Sequence, residues 1–475
     1  MSQVLLFVNY GVLAYFLVVN AVYTILLAIA FPEAGRHARR LAFGGYDAIL
    51  RSPLTLPISV LMPAHNEEET IVEAVNSLRL LEYGEYEIVV IDDGSTDGTL
   101  DRLKAAFALQ PVERPLRLTV PCRRVRGVYV SRHAPNLTVL TKANGGKADA
   151  LNAGLNAARY PLFCAIDADA LLARDALLRV VKPFMERPRE TLASSGIVRV
   201  ANGCRVLDGR IVRVRMPSSM LARLQVVEYL RAFLGTRTAW SRLHSLFVIS
   251  GAFGVFKKQA VLDAGGYRTG TVGEDMDLVL RLHRQARERG ERYRIVFIPD
   301  PVVWTEVPES VRILHRQRNR WHRGLLECLT FSRGMLFRPR YGPVGFLGLP
   351  YNLLIEVVGP LVEVSGYIAL VVALCTGGVS GWYVALFFLL AVGYGVLLSA
   401  ASILLDDLQA GDPSRRRDMP ALLVAAVVEN LGYRQLQAFW RVQATVDFFR
   451  KKGGWGEMRR AGFQVAEAGE APAAD

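Results

Sequence analysis

Apolar residues in this chain of 475 residues are concentrated at the N-terminus and after about residue 342. The first apolar run, residues 3–31, is long enough to cross a bilayer, which takes about 20 apolar residues. It is too long for a signal peptide and no basic segment precedes it, so it predicts a transmembrane helix. Two later runs, 350–375 and 382–405, are joined by a short Gly377–Gly378 turn and predict a membrane hairpin.

A weaker apolar run covers residues 419–433 and continues as an amphipathic helix to residue 449. A fourth complete crossing would put the basic residues 450–452 outside, against the positive-inside rule. Two interpretations of this region therefore stay open: it forms two short or tilted passes, or part of it lies in the membrane interface. Arg434 and Arg441 lie in this region, and each either lines a polar pathway or extends its charged end to the membrane surface.

Between the apolar regions, strand-like and helix-like patterns alternate over residues 55–330. Short apolar runs predict strands at 58–62, 86–91, 137–140 and 162–166. Helical periodicity predicts helices at 68–81, 95–108, 147–158 and 278–287. This alternation predicts a parallel α/β sheet covered by helices, in which ligands bind at the carboxyl ends of the strands.

The formal net charge is +13, and many of the basic residues lie beside the apolar segments. No zinc-finger spacing or base-reading basic helix accompanies this charge, so the pattern favours contact with acidic headgroups over nucleic acid. By the positive-inside rule, the N-terminus faces outside and the residues after 35 face the cytoplasm. The five cysteines are scattered, without metal-ligand spacing, and are interpreted as reduced thiols.

Polar clusters follow all four predicted strands, and they should therefore meet at one edge of the sheet. The clusters are residues 63–68 (PAHNEE), 92–97 (DDGSTD), 144–147 (NGGK) and 167–169 (DAD). Asp167 and Asp169 are spaced to share a divalent cation with a substrate phosphate, and Mg²⁺ or Mn²⁺ there would stabilise a departing diphosphate. Taken alone, such a pair is more often a solvated turn.

Further candidates have both a functional and a structural interpretation. Lys147 suits a phosphate, because its ammonium is a compact positive charge after two glycines that permit close backbone approach. Asp92 and Asp93 could accept a hydrogen bond from a uracil imide or cap the following helix. Glu274 and Asp275 precede a helix; Asp275 is the candidate general base, and the alternative is a helix-terminal acid.

One more cluster precedes an interfacial segment. Gln317, Arg320 and Trp321 lie just before residues 331–348. Trp321 offers an aromatic face for a sugar ring and Arg320 a partner for a diphosphate. The alternative is a basic, aromatic helix at the membrane surface.

With these residues the chain resembles family 2 glycosyltransferases, in particular the processive membrane branch of cellulose, chitin, hyaluronan and poly-N-acetylglucosamine synthases. The matching pieces, in order, are Asp92/Asp93, Asp167-Ala168-Asp169, Gly273-Glu274-Asp275 and Gln317-x-x-Arg320-Trp321. The resemblance implies an α/β GT-A (Rossmann-like) cytoplasmic domain inserted between transmembrane α-helices. The expected parts are a transmembrane helix (1–34), the GT-A domain (55–330), the interfacial segment (331–348), a C-terminal transmembrane region (349–450) and a cytoplasmic tail (451–475).

The resemblance also implies a role for each site residue. Asp92 or Asp93 would hold the uracil together with Ala64 and Glu67, while Lys147 and Asp167 would face the diphosphate and ribose. Asp169 would bind the metal, Asp275, with Glu274 beside it, would deprotonate the acceptor, Trp321 would support the acceptor sugar, and Gln317 and Arg320 would complete the donor pocket.

The implied activity is inverting transfer from a UDP-sugar to a growing β-linked polysaccharide that leaves through the membrane helices. UDP-N-acetylglucosamine is favoured and UDP-glucose comes next, because the chain is most similar in size and tail to the poly-N-acetylglucosamine synthases. The alternatives are a single addition to a membrane lipid acceptor, or a non-enzymatic membrane protein with a degenerate transferase domain. Expected partners are the donor, a polysaccharide or glycolipid acceptor and membrane lipids, but not nucleic acid; an accessory subunit stays open. The expected location is a bacterial-type inner (plasma) membrane, with several passes.

Overall fold

The structure is a computed structural model that describes residues 2–44, 52, 54–207, 210–377, 379–410 and 417–450. It divides into two compact units. The membrane unit comprises Met1–Arg39, Ser218–Ser245 and Pro308–Met458, and the sheet unit contains Arg40–Pro217 and Leu246–Val307. The predicted tail 451–475, Gly378 of the predicted turn, and Arg415 and Arg416 lie outside the described residues.

Ten described strands of the sheet unit form one sheet, in the order β3-β4-β5-β2-β1-β6-β11-β8-β12-β7. A separate hairpin pairs β9 with β10. The strands are β1 Ile58–Ala64, β2 Tyr86–Asp92, β3 Leu109–Val112, β4 Val125–Ser131, β5 Leu137–Lys142, β6 Leu162–Ile166, β7 Ala170–Leu172, β8 Thr191–Val200, β9 Arg205–Leu207, β10 Arg210–Arg213, β11 Phe253–Lys257 and β12 Arg294–Thr305.

The four central strands are parallel, as predicted: β1 pairs with β2 and β6, and β2 pairs with β5. They are buried almost throughout, which explains their continuous apolar runs. Outside this core the sheet departs from the predicted parallel arrangement, because β4 is antiparallel to β5 and β11 is antiparallel to β6. The sheet is therefore mixed, and β5, β2, β1 and β6 end together at one edge.

The described α-helices, in chain order, are α1 Ser2–Gly44, α2 Ile71–Arg79, α3 Thr99–Phe107, α4 Lys147–Ala157, α5 Ala176–Glu186, α6 Met220–Tyr229, α7 Thr238–Arg242, α8 Lys258–Asp263, α9 Glu274–Glu288, α10 Val311–Phe331, α11 Leu349–Tyr351, α12 Val358–Cys375, α13 Gly381–Phe388, α14 Tyr394–Ala410, α15 Met419–Val428 and α16 Arg434–Phe449. The helix predicted at 278–287 begins four residues earlier, at Glu274. Acidic side chains in its first turn complement the positive end of the helix dipole, so the start at Glu274 is electrostatically favourable.

Three described helical segments are long and apolar enough to span a bilayer: Phe7–His37, Val344–Cys375 and Gly381–Gln409. They correspond to the three clear apolar runs of the sequence, and they mark the chain as a membrane protein. The first segment packs against the other two through a cluster that contains Phe16, Leu370 and Phe387.

Two segments from the middle of the chain belong to the membrane unit, although residues 55–330 were expected to form one domain. Leu224 and Val227 of α6 pack with Ala425 and Ala426 of α15. The helix α10 packs along α16. The segment expected at the membrane interface, residues 331–348, forms short 3₁₀ and π turns. By contacts, the boundary of the sheet unit therefore lies at Val307, and this grouping differs from the expected domain limit at residue 330.

Candidate active site

The ends of β1 and β2 lie side by side and present the first carboxylates. Ala64 is in register with Asp92, and its carbonyl oxygen accepts a hydrogen bond from the Asp93 N–H at 2.9 Å. The Asp92 carboxylate accepts from the Ser95 N–H at 3.0 Å, so it organises the turn before α3. Both aspartates are buried, with 4% and 3% of their surface exposed.

Asp93 holds the glycine loop that precedes α4. Its carboxylate accepts hydrogen bonds from the Gly145 N–H at 3.0 Å and the Gly146 N–H at 2.7 Å. It also pairs with the ammonium of Lys142, and its carbonyl oxygen accepts from the Asn144 amide at 2.9 Å. These contacts connect the end of β2 directly to the loop after β5.

Lys147, the first residue of α4, connects this loop to two other segments. Its ammonium pairs with Asp167 after β6 and donates to the Gly251 carbonyl oxygen at 2.9 Å. The Gly251 N–H in turn donates to the Asp275 carboxylate at 3.0 Å. Four predicted site elements, far apart in the sequence, thus join in one network of direct contacts.

The charged side chains of this network shift the pKa values of their neighbours. Burial, followed by the negative charge of Asp275, raises the pKa of Glu274 to about 7. Burial alone would lower the pKa of Lys147, but the charges of Asp167 and Glu274 outweigh it and raise that pKa. Lys147 therefore remains a cation near neutral pH, while Glu274 titrates there.

Asp169 is buried, at 4% exposure, in the turn between β6 and β7. The turn is closed by the Ala170 N–H, which donates to the Asp167 carbonyl oxygen at 3.1 Å. Two acidic side chains at one strand end provide hard oxygen ligands, and Mg²⁺ or Mn²⁺ is commonly held by one or two carboxylates together with substrate phosphates. The donor set therefore fits such an ion, and no group of three or more His, Cys, Asp or Glu side chains with metal-binding geometry occurs among the described residues.

The remaining predicted residues lie in two other segments, the loop after β1 and the helix α10. Glu67, in the loop after β1, accepts a hydrogen bond from the Thr70 hydroxyl at 2.9 Å. Gln317, Arg320 and Trp321 lie on α10, in the membrane unit. Trp321 is 41% exposed.

Sequence reasoning missed three charged residues that the structure buries. Lys142 has no exposed surface and Asp149 has 5%. Arg318 has 6% exposed surface; it pairs with Glu228 at 2.9 Å and stacks 4.3 Å from the Trp321 ring centre. Lys142 ends a strand two residues before the NGGK cluster, so its position at the strand end was the available signal.

Comparison with a solved structure identifies the fold. The chain is similar to the mannosyltransferase PcManGT from Pyrobaculum calidifontis, solved in complex with GDP-Man and Mn²⁺, with a TM-score of 0.50 and 22% identity. The match covers 86% of this chain and 99% of that one. Together with the mixed sheet and the carboxylates at its edge, it defines a GT-A fold combined with membrane helices.

Sequence comparison then identifies the family. The model for "Glycosyl transferase family 2" matches residues 59–260, and that for "Glycosyl transferase family group 2" matches residues 162–398. The chain belongs to glycosyltransferase family 2. Poly-beta-1,6-N-acetyl-D-glucosamine synthases from Staphylococcus epidermidis and Staphylococcus aureus (strain COL) are 29% and 28% identical to it over 272 residues. Each alignment covers 57% of this chain and 55% of the relative, so the chain matches about half the length of these curated relatives.

Proposed function

We propose that the chain is an inverting glycosyltransferase that adds sugars from a UDP-sugar, with UDP-N-acetylglucosamine favoured and UDP-glucose next, to a growing β-linked polysaccharide. The observation that carries this proposal is the contact network at the sheet edge. In it, Lys147 pairs directly with Asp167 and is linked through the Gly251 backbone to Asp275. It puts a cation suited to a diphosphate beside a carboxylate suited to an acceptor hydroxyl. The poly-N-acetylglucosamine synthases among the relatives support the choice of donor and product.

In the proposed reaction, the acceptor hydroxyl oxygen attacks the anomeric carbon of the donor. A bond forms between these two atoms while the bond from the anomeric carbon to the β-phosphate oxygen breaks, so UDP leaves with the electron pair and the configuration inverts. The hydroxyl proton passes to Asp275, which is more exposed than the buried Glu274 and is therefore the better-placed base. Lys147 balances charge on the leaving diphosphate.

Donor binding is divided among the strand ends. Asp92 or Asp93, together with Ala64 and Glu67, is proposed to hold the uracil, and Asp167 to face the ribose and diphosphate. Asp169, with Asp167, would hold a Mg²⁺ or Mn²⁺ ion, which when bound supplies Lewis-acid stabilisation of the leaving diphosphate. Gln317 and Arg320 as donor residues and Trp321 as an acceptor residue remain predictions from the family resemblance.

For the cellular setting we propose a bacterial-type inner membrane, with the N-terminus outside and the sheet unit in the cytoplasm. The basic residues that follow the first apolar run (residues 3–31), Arg36, Arg39 and Arg40, support this orientation. The proposed acceptor is the polysaccharide itself.

The base assignment is tested with the Asp275→Asn variant of the full chain, in detergent, by UDP release from UDP-N-acetylglucosamine. We expect kcat to fall by about 100-fold to 10,000-fold, the usual contribution of a general base, with little change in UDP affinity. Asp263→Asn is the matched control, because Asp263 pairs with Arg289 and has no contact with the network. Unchanged turnover in Asp275→Asn would contradict the assignment.

Product size and donor choice test the rest of the proposal. Labelled donor should give a ladder or a long polymer, whereas a single labelled lipid would support transfer to a lipid acceptor instead. UDP-glucose, UDP-glucuronate and UDP-galactose, each with Mg²⁺ or Mn²⁺, should release less UDP than UDP-N-acetylglucosamine.

A further inference from the structure

A fully buried lysine lies behind the glycine loop of the site. The Lys142 ammonium pairs with Asp93 and with Asp149, the latter at 2.6 Å, and donates to the Ala143 carbonyl oxygen at 2.7 Å. A lysine is almost never fully buried unless it is paired. Here the three acceptors match the three N–H donors of the ammonium, so the charge is completely satisfied.

The two carboxylates that bind Lys142 also determine the shape of the loop. Asp93 accepts from the Gly145 and Gly146 N–H groups, and Asp149 accepts from the Arg123 N–H at 3.0 Å. A Cβ atom at Gly145 would lie 2.5 Å from Asp149, which shows how closely the loop is packed against this pair. Gly146 has a φ of +84°, a conformation that favours glycine.

We propose that Lys142 is a positioning residue for donor binding. Its charge draws Asp93 and Asp149 together, the carboxylates hold the loop between β5 and α4, and the loop places Lys147 against Asp167 and the Gly251 carbonyl. Lys142 itself is buried and does not touch substrate. The inference rests on the proposed function, because the effect concerns the diphosphate that Lys147 is proposed to bind.

The test uses Lys142→Met together with Lys142→Met/Asp149→Asn. The single variant leaves two carboxylates facing each other without a cation, so its melting temperature should fall. The double variant removes one of these charges, and its melting temperature should recover to near the wild-type value. Because the loop still lacks its central cation, the Kd for UDP and the KM for the donor should rise at least about tenfold in both.

Lys258→Met is the matched control, since its ammonium donates to the Ala158 carbonyl, outside the network, and UDP affinity should not change. A double variant that regains stability and binds UDP within twofold of wild type would overturn the proposal. Loss of cooperative unfolding in both Lys142 variants would also overturn it, because Lys142 would then stabilise the whole unit rather than position the loop. If the wild type neither binds UDP nor releases it from any donor, the proposed function fails instead.

A second inference comes from a break in the last helical segment. Leu431 (φ −108°, ψ 67°) and Gly432 (φ 120°, ψ −50°) are not helical and separate α15 from α16. The ten residues of α15 measure about 15 Å, half of the apolar thickness of a bilayer. This helix is therefore too short to cross alone.

Contacts show how deep the break lies. Gly395 is central in the apolar span Gly381–Gln409, and a Cβ atom there would lie 2.1 Å from Asn430 and 3.2 Å from Arg434. One turn further along α14, Ser399 donates to Glu429 at 2.9 Å. The helix α15 is thus antiparallel to α14, and its end is level with the middle of that span.

The following helix leads back. Arg434 lies 3.9 Å from Glu363 and Arg441 lies 2.9 Å from Glu356, so α16 runs antiparallel to the span Val344–Cys375. Farther on, Asp447 accepts from Asn319 of α10 at 2.9 Å, and α10 comes before that span in the chain.

We propose that residues 419–449 form a re-entrant hairpin that enters the bilayer, turns at Gly432 and returns to the same face. This arrangement places Arg417 and Arg450, which flank the segment, on one side of the membrane, in agreement with the positive-inside rule.

The test places single cysteines in a background with Cys122 and Cys375 changed to serine. Asp418→Cys and Arg450→Cys should react with an impermeant maleimide from the same side of the membrane. Trp382→Cys is the control. Trp382 is 87% exposed at the start of the span Gly381–Gln409, and the cysteine there should react from the other side of the membrane. Labelling of Asp418→Cys and Arg450→Cys from opposite sides would show a full crossing and overturn the proposal.

Depth is measured with a fluorophore on Leu431→Cys, a side chain that is 58% exposed in the structure. Quenching should be stronger by lipids labelled at the bilayer centre than by lipids labelled at the headgroup. The reverse order would place the segment in the interface and would also overturn the proposal.

Discussion

The pKa of Glu274 makes a specific prediction about stability. Burial and the charge of Asp275 raise this pKa from an ordinary 4.5 to about 7 in the folded chain. At a pH between these two values, Glu274 keeps its proton in the folded state and has lost it in the unfolded state. Stability should therefore be greatest below the unfolded value and fall as the pH rises toward 7, because the buried carboxylate must then carry its charge.

The size of the effect follows from the shift. At about 1.36 kcal/mol for each unit, a rise from 4.5 to about 7 corresponds to about 3 kcal/mol of lost stability above pH 8. Glu274→Gln keeps the shape of the side chain and cannot ionise, so it avoids this cost. The advantage of the variant should be less than about 1 kcal/mol at pH 5 and should grow to about 3 kcal/mol above pH 8.

The assay is unfolding of the full chain in detergent from pH 5 to pH 8.5, without donor or divalent metal. Asp277→Asn is the control, and it is expected to lower stability rather than raise it. Asp277 is 1% exposed and pairs with Arg268 at 3.2 Å and with Arg281 at 2.7 Å. Its loss should destabilise the chain at every pH. An advantage of Glu274→Gln that does not change with pH, or lower stability than wild type at pH 8.5, would refute the reasoning.

Three further predictions concern the metal, the buried core and the site turn. Chelation with EDTA should abolish UDP release, and added Mn²⁺ or Mg²⁺ should restore it; full activity in EDTA would contradict the metal assignment. Glu87→Ala should lower the free energy of unfolding by about 3 kcal/mol, because Glu87 accepts from the Ser59 hydroxyl at 2.6 Å and from the Arg159 backbone and guanidinium at 2.7 Å; denaturant unfolding checks this. Gly94→Ala should raise the donor KM, measured by UDP release, because Gly94 has a φ of +68° and a new Cβ atom would lie 2.8 Å from the Asn144 nitrogen.

The central strands could be predicted from the sequence because each buried parallel strand leaves a local apolar run. The strand predicted at Leu162–Ile166 has the same bounds in the structure. The direction of β11 could not be predicted in this way, because Phe253–Lys257 is as buried as the parallel strands around it. Burial determines which residues are apolar, but the direction of a strand depends on where the preceding chain enters the sheet, which is a long-range property.

The site could be predicted in part for a related reason. Carboxylates after successive parallel strands must meet at one edge, and the contacts among Asp93, Lys147 and Asp167 agree with that rule. Lys142 and Asp149 could not be identified, because an isolated lysine and an aspartate in the first turn of a helix usually indicate solvent-exposed positions. Only the fold reveals that these two charges are buried together.

Arg434 and Arg441 show the same limit in the membrane unit. Considered one segment at a time, each arginine was equally compatible with a polar pathway and with a position at the membrane surface. In the structure, each faces a glutamate of the span Val344–Cys375, namely Glu363 and Glu356. A paired charge at membrane depth costs far less than a single one. Removing either partner would therefore leave the other uncompensated in the bilayer.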